Sequence, residues 1–411
     1  MSVVSLEFVL PLLVLAAVFF YLPGKTARQI VFSACNLASL FYCFGHISSW
    51  IALGIFVLSG YAMALVLARK PSAGILTAYL VVLIAAFLVL KKYVIIQPLL
   101  PASVWTYPIE TMGLSYLLFR QIHLLVDVMQ EQITGLKLCS YLNYQLNLFG
   151  FQSGPIQRYQ EFQERWSIMR PLLMDRHDVK RAYIRLFVGL IKVPASTYII
   201  QEYVKQRAWF LQPASVTSAG HVATLIRFAE IFYGYPVYLY FNFSGYCDVV
   251  ISGAALLGIK MPENFDRPYL SRNMIDYWTR FHRSLGFWIR DYLFTPMYKA
   301  AATRWPQRGN LLVFPCYFVA FVLAGVWHGS TSNFVVFGVL HGIGVSIVKG
   351  WENFIVKRRG RKGLKEYLAR QPVRILAIAL TLNFVSLTML FFPPDMNETF
   401  RVIHGFIHRM I

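Results

Sequence analysis

An all-α polytopic membrane bundle is the fold this sequence predicts, and three observations predict it. Hydrophobic residues fill 57% of the 411 positions, charged residues only 14%, and mean hydropathy is +0.52, beyond the range of ordinary soluble domains. Apolar runs recur along the chain, and about nine to eleven of them can be counted as spans or buried hairpins on a template of roughly 20 residues each. The links between them are mostly short, which predicts one integrated bundle rather than several domains.

Taken in order, Val4–Leu22, Ile30–Tyr42, Ile51–Ala68 and Ile75–Leu90 read as the first spans. The opening run has no basic segment before it and leads into Pro23, Lys25 and Arg28, so it reads as a span and not as a cleaved signal. Lys25, Arg28, Arg69 and Lys70 put their loops in the cytoplasm and the N-terminus outside, while Lys91 and Lys92 fall on the outer side by the same count. Pro101 and Pro108 then break the chain, and Gly113–Val128 carries Arg120, His123 and Asp127 inside an apolar pattern, so those groups must be buried against protein. The turn signal Ser153-Gly-Pro-Ile-Gln-Arg-Tyr159 follows Asn143–Phe151, and irregular backbone at that depth requires a cavity wall or a packed interior. Gln160–Arg185 reads as a soluble basic loop. Spans resume at Ala182–Ile200, Thr224–Phe241, Asp248–Gly258, Leu311–Val326, Phe334–Val348 and Ile375–Phe392. Between the last two lies a polybasic stretch, Lys357, Arg358, Arg359, Arg361, Lys362 and Lys365, which reads as a cytoplasmic anchor at anionic lipid, with binding of a carrier or cofactor phosphate as the other reading.

The net charge of +20 could suit nucleic acid, but no aromatic-basic module stands on a soluble segment, and loops held at an anionic leaflet account for it. The five cysteines, Cys35, Cys43, Cys139, Cys247 and Cys316, form no C-x-x-C pair, which argues against a disulfide framework or a zinc site. No His-Glu-x-x-His or Gly-x-Ser-x-Gly pattern is present, so neither a catalytic metal nor a serine elbow is expected. No internal repeat of the transporter kind is found.

The chemistry concentrates in Asn242–Asp248, Pro262–Tyr269 and Asp276–His282. Drawn as one helix advancing about 100° per residue, Asn273–Phe294 puts Trp278, Phe281, Leu285, Trp288 and Tyr292 on a buried face and Asp276, Arg280, Arg283, Arg290 and Asp291 on a charged one. His282 falls beside the aromatic stripe, aimed inward, either as a core histidine satisfied by a hydrogen bond or as a reactive group. His328 closes an apolar run in Gly325-Val-Trp-His-Gly329, where small neighbours leave room and an ionisable intramembrane group suggests function. A neutral imidazole is suited to take the proton of a hydroxyl attacking a thioester. His341 reads as structural. Ser244, Gly245, Pro262, Glu263 and Asn264 read as packing, turn and cap residues, whereas Asp248 needs a partner, an arginine or a histidine.

Asn242-Phe-Ser-Gly-Tyr-Cys-Asp248, Pro262-Glu-Asn-Phe-Asp-Arg-Pro-Tyr-Leu-Ser271, Tyr277-Trp-Thr-Arg-Phe-His-Arg-Ser-Leu285, Phe287-Trp-Ile-Arg-Asp-Tyr292 and Gly325-Val-Trp-His-Gly329 together resemble the membrane-bound O-acyltransferase (MBOAT) family. Gly113–Phe119 and Ser153–Tyr159 look like its upstream blocks. The resemblance is to the bacterial branch that modifies cell-envelope polymers, including the membrane subunits of alginate O-acetylation and teichoic-acid D-alanylation. It implies about eleven spans, with re-entrant and amphipathic helices, around a tunnel that donor and acceptor enter from opposite sides. It implies catalysis by His328 and His282, with Asp248, Arg280, Arg290, Trp327 and Asn264 as substrate- or donor-positioning candidates.

The chain is accordingly expected to be one O-acyltransferase domain, with N-terminal spans in 1–110, a catalytic core in 111–345 and a basic cytoplasmic loop and last span in 346–411. The expected donor is acetyl-CoA or a D-alanyl carrier-protein phosphopantetheine thioester, with acetyl preferred and no bound cofactor or metal. Tyr298–Trp305 lacks the Gly-Asn-Arg-Gly loop of many acetylating members, and Ser115–Arg120 and Asn383–Val385 resemble the D-alanylating ones. Expected partners are an extracytoplasmic acyl-relay or acceptor-modifying protein, a cytoplasmic acyl carrier protein and membrane lipids, but no nucleic acid. The expected location is the inner (cytoplasmic) membrane. The competing class is a transporter or flippase.

Overall fold

The computed structural model describes residues 6–105, 110–170, 176–213, 219–329, 331–393 and 395–411. Val4, at the head of the first apolar run, and Pro108 lie outside these residues. The structure is 81% helical, with no strand among the described residues. In chain order the α-helices are α1 (Leu6–Tyr21), α2 (Gly24–Cys43), α3 (Ile47–Arg69), α4 (Ala73–Leu90), α5 (Ala102–Trp105), α6 (Leu114–Met129), α7 (Leu138–Gln145), α8 (Tyr159–Ile168) and α9 (Arg176–Leu211). They continue with α10 (His221–Leu256), α11 (Met274–Trp278), α12 (Arg283–Ile289), α13 (Thr295–Arg304), α14 (Gly309–His328), α15 (Ser332–Ala369), α16 (Gln371–Met389) and α17 (Met396–Met410).

Among the described residues, six helices are long and apolar enough to cross a bilayer, namely Ile47–Arg69, Ala73–Leu90, His177–Leu211, Leu311–His328, Ser332–Ala369 and Gln371–Met389, and Phe8–Tyr21 is a shorter apolar helix. The protein is a multi-pass membrane protein. The chain forms two compact units, Met1–Leu190 with Gly245–Glu263, and Ile191–Ser244 with Asn264–Ile411.

In the first unit α3 and α4 pack on α6, whose charged groups are buried as expected. The Arg120 guanidinium donates from Nη1 to Tyr144 O at 3.1 Å and Gln145 O at 3.0 Å, a cation on the carbonyl end of α7 where the helix dipole is negative. Asp127 accepts from Gln160 Nε2 at 2.8 Å. Tyr144 Oη donates to Gln157 O at 2.8 Å, so the bond between Tyr144 Oη and His123 Nε2 is donated by the histidine. The irregular stretch after α7 is tied inside the unit, with Leu148 N donating to Asn36 Oδ1 at 3.0 Å and Gln157 Nε2 to Lys260 O at 2.7 Å. That meets the requirement that non-helical backbone at this depth be packed in protein. A Cβ on Gly154 would lie 2.1 Å from Phe149 O, so only glycine fits there.

Two expectations need correction here. Gln160–Arg185 is not a soluble loop: α8 and the start of α9 occupy most of it, because Phe162 and Trp166, four apart, form an apolar stripe that stacks ring on ring at 5.7 Å and is buried. Thr224–Phe241 and Asp248–Gly258 are not separate spans either. The polar run Asn242–Asp248 continues helically inside α10, since Ser244 and Gly245 leave the ladder unbroken.

In the second unit α14 and α15 form a hairpin packed backbone to backbone. A Cβ on Gly325 would lie 2.2 Å from Phe334 O, and one on Gly338 2.5 Å from Phe321 O, the close approach that small residues permit between membrane helices. Around it lies a core of Met274, Tyr277, Trp278, Phe281, Phe321, Phe337, Val345, Val385 and Met389. A second cluster, including Tyr203, Phe210 and Val402, is pinned by Arg207 Nε on Glu398 Oε1 at 2.9 Å. The polybasic residues are exposed on α15, which bends at Gly360 (φ 69°, ψ 177°).

Candidate active site

The second unit brings three histidines into one neighbourhood, and their surroundings separate them. His341 is wholly buried, and Trp278 Nε1 donates to its Nδ1 at 3.1 Å. An indole nitrogen only donates, so Nδ1 holds the lone pair and Nε2 carries the proton of the neutral ring. Nε2 is 2.9 Å from Thr388 Oγ1, which in turn donates to Val385 O at 2.8 Å. Both nitrogens of His341 are therefore used in holding α11, α15 and α16 together, in line with the structural reading of its sequence.

His328 is the last residue of α14 and is half-buried. Its ring is surrounded by aromatic ones: Trp327 at 4.7 Å between centroids, Phe392 at 5.3 Å edge-on, Phe337 at 6.0 Å edge-on and Phe334 at 6.1 Å stacked. The room expected beside it is taken up by packing: a Cβ on Gly329 would lie 2.3 Å from the Phe334 ring, so glycine lets that ring close over the turn. His328 is close enough to His282 for a charge on one ring to be felt by the other.

His282 is 5% exposed and aimed inward as expected, but the helix drawn for it is not continuous. α11 ends at Trp278, the backbone turns through Thr279–His282, α12 runs from Arg283, and a π-helical turn, Arg290–Phe294, leads into α13. The break has a local cause. The Asp276 carboxylate accepts from Arg280 Nε at 2.7 Å and from the Arg272 backbone at 3.0 Å, and Thr279 Oγ1 donates to Asp276 O at 2.7 Å, competing with the helical ladder. Burial raises the Asp276 carboxyl, yet these hydrogen bonds outweigh it and hold the group below its ordinary value. Trp278, Phe281, Leu285 and Trp288 are buried all the same, because the turn restarts the helix with the same side inward.

At the turn His282 adopts left-handed backbone angles (φ 50°, ψ 48°). Its carbonyl accepts from Leu285 N and Gly286 N, both at 3.0 Å. Phe243 meets its ring edge-on at 4.7 Å, and its Nδ1 is buried with no hydrogen-bond partner among the described residues. Burial, with His328 as the lesser cause, pushes this imidazole down to about 3, so the ring is neutral. Asn264, fully buried, accepts from Arg283 N through its carbonyl at 3.0 Å and from Ser284 N through Oδ1 at 3.1 Å, which bears out its reading as a cap.

The remaining candidates are held by other partners. Arg280 is engaged with Asp276. Arg290 is 58% exposed, pairs with Asp291 at 2.7 Å and lies over the Phe287 ring at 4.9 Å. It is the charged residue lining a cavity of about 120 Å³ whose walls include Trp278, Phe287, Tyr317 and Phe321. Asp248 belongs to the first unit, and its partner is an arginine: Arg185 Nε reaches Asp248 Oδ1 at 2.9 Å while the same guanidinium clasps Glu263 at 2.5 and 2.6 Å. Among the described residues no three His, Cys, Asp or Glu side chains cluster as a metal site would require. Sequence reasoning missed Phe243, Phe337 and Phe392 as ring neighbours of the histidines, and Arg185, whose position in an assumed loop concealed it. Phe243 does stand in a flagged motif, which was a usable signal.

Residues 76–391 match the family model described as MBOAT, membrane-bound O-acyltransferase family. The chain is 30% identical to a teichoic acid D-alanyltransferase of Streptococcus thermophilus over 70% of its own length and 69% of that protein. It is 27% identical to a peptidoglycan O-acetyltransferase of Helicobacter pylori over 66% of itself and 47% of the relative. It is also 22% identical to a probable alginate O-acetylase AlgI of Pseudomonas fluorescens, over 80% of itself and 62% of the relative. The chain belongs to the membrane-bound O-acyltransferase family.

Proposed function

We propose that this O-acyltransferase moves a short acyl group, acetyl by preference, from a cytoplasmic thioester to a hydroxyl of an extracytoplasmic cell-envelope polysaccharide or of a relay protein. The observation that carries the reading is the pairing of His328, ringed by aromatic side chains, with a neutral His282 whose Nδ1 is unused, beside a third histidine that is fully bonded. His328 takes the proton of the attacking hydroxyl, the new ester C–O bond forms as the thioester C–S bond breaks, and the proton passes from His328 to the departing thiolate. His282 orients the acyl carbonyl or stabilises its developing negative charge. Arg290 supplies a cation at the rim of the cavity, suited to the phosphates of acetyl-CoA or of a carrier's phosphopantetheine arm. Trp327 packs against His328, while Asn264, Arg280 and Asp248 act through the backbone and ion pairs they hold. The inner membrane is the proposed location, with the exposed Lys357–Lys365 segment at anionic lipid, an extracytoplasmic relay protein on the far side and a carrier protein as an alternative donor.

D-alanyl transfer toward teichoic acid is the second reading, favoured by the name of the relative that is 30% identical and by the absence of the Gly-Asn-Arg-Gly loop at Tyr298–Trp305. Purified protein given acetyl-labelled CoA and D-alanyl carrier side by side separates the two by which label reaches a hydroxyl acceptor. Label transfer that persists undiminished in His328→Ala defeats the catalytic assignment, and substrate crossing the membrane with no acyl transfer from either donor returns the protein to the transporters.

A further inference from the structure

We infer that Asn264 is a positioning residue for His282, and that its capping of α12 is what leaves the His282 imidazole free for the reaction. This rests on the acyl-transfer reading above. The residue that opens a helix normally has its side chain turned back to accept from the exposed N–H groups of the first turn, and Asn, Asp, Ser and Thr fill that place. Here His282 occupies it, and its side chain makes no capping bond. The duty falls instead to a residue 20 positions earlier, since Asn264 Oδ1 takes the Ser284 N–H and its carbonyl takes the Arg283 N–H.

The left-handed turn at His282 is one that asparagine or glycine adopts more readily than histidine. Asn264 therefore holds strained backbone at the point where a reactive ring is attached. Gly286 closes the clasp from the other side: its N–H reaches His282 O, and a Cβ there would lie 2.6 Å from Trp278 O. Together these contacts direct the ring toward the interior, with Phe243 edge-on to it and Nδ1 unused.

The test compares Asn264→Leu, similar in volume but without an acceptor, with Asn264→Asp, which keeps the acceptor oxygen, in the full-length protein in detergent. Label transfer is measured as kcat and donor KM, and diethyl pyrocarbonate modification of His282 is followed by mass spectrometry with His341 as the internal reference. Asn264→Leu should lower kcat about ten-fold or more, with KM within about two-fold, because the ring is misplaced and substrate binding is not lost. It should also speed modification of His282 relative to His341, and Asn264→Asp should restore both readings. Wild-type kcat in Asn264→Leu overturns the inference, as does equal acceleration at both histidines, which marks general loosening. No label transfer from either donor in the wild type would remove the acyl-transfer reading, while the ratio of His282 to His341 modification would still report on the clasp.

Discussion

His341 and His282 are buried to nearly the same degree in the same unit, yet they are held in opposite ways. His341 has a donor on one nitrogen and an acceptor on the other, so any change of its protonation breaks a bond between helices. His282 is held by its backbone, through bonds to its carbonyl and a cap on the helix it opens, and its ring nitrogen Nδ1 is left over. Burial alone therefore does not tell the two histidines apart; whether the ring or the main chain carries the restraint does.

Substitutions can break this contrast. Removing the proposed base with His328→Ala should cost about 10³-fold or more in labelled acyl transfer, within the usual range for a general base that also returns the proton. His282→Ala should cost about 100-fold, with the protein still folded, because its Nδ1 bonds no other helix. His341→Ala should act differently. It strands the Trp278 N–H and the Thr388 hydroxyl, lowering stability by about 2–4 kcal/mol, and a thermal melt should fall while the turnover of molecules still folded changes little. A melt that falls equally in His282→Ala and His341→Ala would erase the distinction. Thr388→Val, which removes one of the two bonds, should cost about 1 kcal/mol. The smallest effect concerns pH. With its imidazole pushed down to about 3, His282 takes up no proton between pH 8 and 5, so the acid limb of the rate profile should lie at the same pH in wild type and in His282→Gln.

Much of this was legible in the residues. The membrane bundle followed from apolar runs that recur as α3, α4, α14, α15 and α16, and the inward aim of His282 followed from aromatic spacing. The cap at Asn264 was readable as residue type, but its target was not, because the contact joins positions far apart in sequence. The break at Thr279–His282 was hidden for a different reason: Asp276, Thr279 and Arg280 equally suit a solvated helix face, and spacing alone does not show that their side chains turn to local bonds that compete with the helical ladder. Periodicity likewise joined Phe162 and Trp166 to no helix because the polar residues around them, Gln160, Glu161, Gln163, Glu164 and Arg165, dominated the local composition.

The contact between Gly325 and Gly338 also bears on how such a protein can drift over generations. One strip of α14 touches bare backbone and admits no added methyl group, while Leu311 and Leu323 on the same helix are 66% and 46% exposed and can exchange for other apolar residues. A lineage adapting to a different acyl group thus has little freedom to shift α14 against α15. Its accessible variation lies in the rings of Phe334, Phe337 and Phe392 around His328, where volume can be trimmed or added while the helix pair keeps its register.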